Sequence, residues 1–158
     1  MNRFKFGFFA ITVWAAHLIL GISVARGQQE ISLQTGWTVQ SSAKIAEAPE
    51  KISSAGYNTS DWYKASAPET VFAVLVENGV YKDPYFGMNL RSVPGVEYPI
   101  GGQFANLDMP ANSPYAVPWW YRNEFELPSS FKGENVWIGF HGINYRADLW
   151  INGRKVAG

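Results

Sequence analysis

The sequence predicts an all-β fold, a β-sandwich carrying one short helix. Three observations point there. Between Trp120 and Ile151 apolar residues recur at every second position in three separate runs. Turn-forming residues punctuate those runs. Aromatic residues supply 16% of the chain, with seven Trp, a usage that suits pleated surfaces. Period-two alternation marks half-buried antiparallel strands, one face packed and the other turned to a second sheet or to solvent. An apolar content of 47% against 16% charge excludes a disordered chain, and 158 residues is a one-domain length.

Taken in order, Met1 to Gly27 reads as a secretory signal peptide. Arg3 and Lys5 form its positive start, Phe6 to Leu20 its apolar stretch, and Ala25-Arg26-Gly27 its small-residue cleavage site. A marginal membrane anchor is the competing reading of the same stretch. On either reading the folded part, residues 28–158, lies outside the cytoplasm, exported to a periplasmic or extracellular space. With the leader read as a signal peptide, the membrane is met only in transit. The chain has no cysteine, which excludes disulfides and thiolate chemistry. Its formal net charge is zero, so neither nucleic acid nor an anionic membrane is an implied partner.

Ile31 to Gln40 is expected to form the first strand region, bent at Gly36. Ser41 to Asn58 reads as surface connection, with Pro49 and Gly56. Asn58-Thr59-Ser60 has the form of an N-glycosylation acceptor, more simply read as coincidence. After Pro68, Thr70 is placed to cap a helix over Val71 to Asn78. Phe72, Leu75 and Val76 would share its packed face, and Gly79 would end it. Val80 to Gly102 is loop-rich, and Phe104 to Val117 stays irregular. Loops this long in a compact domain are commonly functional, and four aromatics between Tyr81 and Tyr98 argue against disorder.

Strands are then predicted over Trp120–Leu127, Val136–His141 and Ala147–Ile151. Asn152-Gly153 is a strong type I′ hairpin turn, since both central positions take positive φ. Its return strand starts at Arg154 to Val156. With the sequence stopping at Gly158, the sandwich is expected to be incomplete at its C-terminus and the chain to be the front of a longer one.

The chemistry-bearing residues divide into weak and better candidates. Glu124 and Glu126 sit two apart with Arg122 on one strand face and read as a charged outer stripe. His141, the single histidine after the leader, has no companion ligand, so no metal site is expected. Arg146 and Asp148 read as an exposed ion pair. The best candidate is the Asp83–Asn89 loop. A sugar site needs a carboxylate or amide for vicinal hydroxyls and an aromatic face for the apolar side of a pyranose. Asp83, Tyr85, Phe86 and Asn89 supply these types within seven residues. The competing view is a loop packed by its own aromatics, with Asp83 capping a turn. Trp119 and Trp120, after Pro118, are second candidates.

The set WYKASAPET, DPYFGMN, WWYRNEFELP and VWIGFHGINYRADLWING, in this order and spacing, resembles the N-terminal sugar-binding domain of family 2 glycoside hydrolases. The likeness is to the β-mannosidase and exo-β-glucosaminidase branches and covers the chain from about residue 36 onward. It implies a jelly-roll, galactose-binding-domain-like sandwich. In that family the domain precedes an immunoglobulin-like domain and a (β/α)8 barrel that carries both catalytic carboxylates. The parent would then hydrolyse a terminal β-linked mannoside or glucosaminide with retention, without a cofactor. This segment would contribute no catalytic residue, and the Asp83–Asn89 loop would lie near the terminal sugar. A stand-alone carbohydrate-binding module is the alternative.

Overall fold

The computed structural model describes residues 29–94 and 110–158. The leader and the middle of the long loop region, 95–109, fall outside the described residues. Two antiparallel sheets organise the described residues. Strands β1 (Trp37–Ser41), β2 (Tyr63–Ala65) and β3 (Trp119–Arg122) form one, in the order β2-β1-β3. Strands β4 (Leu149–Ile151) and β5 (Arg154–Ala157) form a hairpin. The helices are short: α1 (Pro49–Ile52) and α2 (Val71–Glu77). Strand pairing is antiparallel throughout, as the alternation predicts.

Strand β1 is the centre of its sheet and buries Val39 completely. It pairs Thr38 with Lys64 on one side and with Arg122 on the other. Both ladders run one bond past the regular strands. Ala67 N–H donates to Gln34 O at 2.8 Å and Ser42 N–H donates to Pro118 O at 3.0 Å. Residues 31–35, expected to be strand, are not. Gly36 turns the chain at φ +82°, and Leu33 O instead accepts from Trp37 Nε1.

The helix after Thr70 forms where predicted. Thr70 Oγ1 accepts from Ala73 N–H at 3.2 Å, which satisfies one of the free donors of the first turn. Gly79, at φ +73°, follows the C-terminal cap Asn78. The packed face differs from the expectation, because Val74 and Leu75 are the buried residues while Phe72 and Val76 are only half-buried. Phe72 stacks on Tyr81 instead, with ring centroids 5.9 Å apart. The Ser41–Asn58 connection is likewise more than surface. It contains α1, and Ile52 at its end is one of the most buried side chains among the described residues.

Two further strand expectations fail. Regular pairing in β3 ends at Arg122 rather than Leu127, and Val136–His141 forms no strand. β-branched and aromatic residues gain from a pleated surface only where a neighbouring strand and an apolar face are there to be covered. Over 136–141 neither is supplied by the described residues. Val136, Ile138 and Phe140 stay exposed, and Trp137 is 90% exposed. The hairpin beyond forms as predicted, with Asn152 at φ +48° and Gly153 at φ +80° making its tip.

Candidate functional site

The loop that starts at Tyr81 leaves the C-terminal end of α2 and is anchored there. Val80 N–H donates to Leu75 O at 2.9 Å, and Tyr81 lies on Phe72. Burial, and after it the neighbouring Tyr81, raises the Tyr115 hydroxyl pKa well above the ordinary phenol range. Beyond Lys82 the chain makes a tight turn governed by Asp83. Its Oδ1 accepts from Tyr85 N–H at 2.9 Å, and its carbonyl accepts from Phe86 N–H at 3.2 Å. This is an Asx-turn, which the Asp-Pro pair favours. Asn89 closes the loop: Nδ2 donates to Asp83 O at 2.9 Å, and its N–H donates to Phe86 O. Gly87, at φ +56°, supplies the left-handed residue between them.

The two polar candidates therefore hold the loop together, and the aromatic ones point away from it. Tyr85 is 97% exposed, with Phe86 and Met88 also largely in solvent. Asp83 does cap a turn, but the aromatics do not pack the loop's interior. The result is a tied base with an aromatic tip, able to lay a ring face against an apolar surface.

Trp119 and Trp120 sit elsewhere, in β3 opposite Ser41 and Gln40. Both are half-buried, and Trp119 Nε1 donates to Pro114 O at 3.0 Å. Strand alternation puts Trp119 with Tyr121 and Trp120 with Arg122. Tyr121 donates its hydroxyl to Glu69 O at 3.1 Å, and burial followed by Glu69 raises its pKa.

The supposed charged stripe is a clamp. Arg122 Nη2 meets Glu124 Oε2 at 2.7 Å and also donates to Ser54 O at 2.8 Å, while Nε donates to Ile52 O at 3.0 Å. Glu124 in turn accepts from Gly56 N–H through both oxygens. The Arg122 hydrogen bond, and then that from Gly56, holds the Glu124 carboxyl below its usual range. Such a group stays ionised and is a poor general acid. Glu126 and His141 are exposed. Asp148 pairs with Lys155 across the hairpin at 2.9 Å, not with Arg146 as expected. Asp148 stands just before β4, and the hairpin brings Lys155 of the facing strand β5 to it. Among the described residues no three His, Cys, Asp or Glu side chains gather into a metal site.

Two residues without a sequence motif of their own matter to this frame. Asn78 places its amide on the outer edge of β2, accepting from Lys64 N–H at 3.2 Å and donating to Lys64 O at 2.8 Å. Ser53 accepts from Gly153 N–H at 3.1 Å. Neither bond is local in sequence; an Asn just after a helix was the only available hint.

Known proteins share this frame. Residues 110–158 match the family described as glycosyl hydrolase 2 galactose-binding domain-like. An exo-β-D-glucosaminidase of Amycolatopsis orientalis is 30% identical over 90% of this chain. One from Streptomyces avermitilis is 32% identical over 78% of it. A mannosylglycoprotein endo-β-mannosidase of Lilium longiflorum is 24% identical over 78%. In each case the chain spans only 12% of the relative's length. The crystal structure of the Amycolatopsis orientalis exo-chitosanase superposes with a TM-score of 0.57 at 31% identity, over 78% of this chain and 12% of that one.

Proposed function

This chain belongs to the glycosyl hydrolase 2 galactose-binding domain-like family, whose match falls on residues 110–158, and on that premise we propose that it is the exported, non-catalytic N-terminal sandwich of an exo-acting β-glycosidase. The parent removes a terminal β-linked glucosamine with retention, through two carboxylates about 5 Å apart on a separate (β/α)8 barrel. Glucosamine is preferred to mannose because the relatives called exo-β-D-glucosaminidases reach 30–33% identity, against 24% for the β-mannosidase. Residues 28–158 form this one domain, behind a cleaved leader. Its partners are the substrate glycan and the immunoglobulin-like and barrel domains of the same polypeptide. The exposed apolar run from Val136 to Tyr145 supports such docking, since isolated domains rarely leave so much apolar surface in water.

One observation carries the sugar-side role: the tied Asp83–Asn89 loop with Tyr85 and Phe86 in solvent. In this reading the two rings form a wall for the terminal sugar, with Asp83 and Asn89 holding that wall in place, while Trp119 and Trp120, in β3, are a separate pair of candidate sugar contacts. The test is kinetic. In the parent enzyme Tyr85→Ala and Phe86→Ala lower kcat/KM on chitosan oligomers by up to about tenfold, the worth of one stacking contact. Unchanged kcat/KM in both variants removes the loop from the substrate site.

The same exposed rings suit a second reading, a carbohydrate-binding module that acts alone. Titration of chitosan and mannan oligomers into the isolated chain separates the two: saturable binding supports the module, and its absence supports a wall completed only by the barrel.

A further inference from the structure

The hairpin tip Asn152-Gly153 is a chemically labile pair whose surroundings determine its lifetime. We propose that Ser53 protects it, making Asn152 a latent deamidation site that opens only when the hairpin leaves the α1 turn. In the labile reaction the Gly153 backbone nitrogen attacks Asn152 Cγ. The side-chain nitrogen leaves as ammonia, and a five-membered succinimide closes. Water then opens the ring at either carbonyl to give aspartate or isoaspartate. The attack needs the Gly153 nitrogen to lose its proton and to swing toward its own neighbour's side chain.

The structure opposes both steps. Gly153 N–H donates to Ser53 Oγ at 3.1 Å. That hydroxyl is itself oriented, because it donates to Pro49 O at 2.9 Å and so turns a lone pair to the hairpin. The approach is close: a Cβ on Gly153 would lie 3.2 Å from Glu50 O. The pair is further held in consecutive positive-φ conformations, at +48° and +80°, by the pairing of Ile151 with Arg154. The α1 turn does not move freely either, since Arg122 grips the carbonyls of Ile52 and Ser54 on either side of Ser53. An isoaspartate at 152 would insert one extra backbone carbon into a two-residue turn and break that register.

The test is a deamidation time course in mildly alkaline buffer, with isoaspartate at 152 read by peptide mass mapping and enzymatic methylation. The chain, its Ser53→Ala and Ser53→Thr variants, and a free peptide of residues 148–158 are followed together. The folded chain is expected to deamidate more slowly than the peptide. Ser53→Ala speeds it by about fivefold, the value of one neutral hydrogen bond, and Ser53→Thr, which keeps the hydroxyl, restores protection. A folded chain that deamidates as fast as the peptide overturns the proposal without recourse to any variant. So does a folded Ser53→Ala chain that deamidates no faster than the parent.

Discussion

Arg122 joins β3 to the turn that follows α1 through backbone carbonyls at positions 52 and 54, and to Glu124 through an ion pair. Its side chain is only 11% exposed, so its removal leaves two carbonyls without this donor and takes from Glu124 its ion-pair partner. Arg122→Ala is expected to destabilise the chain by about 2–4 kcal/mol, seen as a lower urea midpoint with an unchanged slope. Arg122→Lys recovers only part of this, because an ammonium cannot reproduce the planar fork. Glu124 adds a pH dependence with a definite sign. Its folded pKa is depressed, so its contribution is present above the ordinary carboxylate value and is lost as pH falls through the folded one. Glu124→Gln should therefore be less stable than the parent at neutral pH, with the difference closing in strong acid; a pH series of urea midpoints measures it.

At the scale of elements, the short helix α2 depends on its ends. Seven residues give too few internal bonds to hold a helix without caps and packing. Thr70→Ala removes the N-terminal acceptor and should cost about 1 kcal/mol by thermal unfolding. Asn78 is the more consequential residue. Its amide fills the backbone donor and acceptor of Lys64 on the free edge of β2, where an unpaired strand edge would otherwise invite association. Asn78→Ala is expected to lower stability by about 2 kcal/mol and to promote self-association, read by light scattering. Asn78→Asp keeps the acceptor but loses the donor, and should fall between the parent and Asn78→Ala.

Over the whole described chain, order is unevenly distributed. The buried residues Val39, Ile52, Trp62, Val74, Leu75 and Val93 join β1, α1, α2 and their connections into one core. The segment from Asn123 to Asp148 contributes little to it. Apart from a single turn of 3-10 helix at Ser129–Phe131, that segment has no regular structure. Local opening there costs little because few buried contacts are broken. Limited trypsin digestion should cut first at Lys132 and Arg146, ahead of Lys51 and Lys64, with the order read by mass spectrometry. If, as the proposed function holds, further domains of a longer polypeptide cover this segment, they should slow those two cuts selectively.

Features set by near neighbours were legible in the residues alone. Thr70 and Gly79 bound a helix through capping and positive φ, and Asn152-Gly153 made a hairpin tip, because these depend on bonds between residues a few positions apart. The antiparallel β class and the glycosyl hydrolase 2 likeness were legible too, in the alternation and in the WWYR and RADLWING strings. The aromatic loop was legible as a composition, though not the division of labour within it, in which Asp83 and Asn89 tie while Tyr85 and Phe86 project. Packing settled which alternating runs became strands, since Val136–His141 has the propensity of β1 but no partner among the described residues to pair with. It also settled that Glu124 belongs to a clamp, that Asp148 answers Lys155, and that Asn78 and Ser53 act on strands far from them in sequence. The Asn78 and Ser53 bonds span fourteen and a hundred positions, and neither propensity nor periodicity records which distant backbone group a side chain will meet.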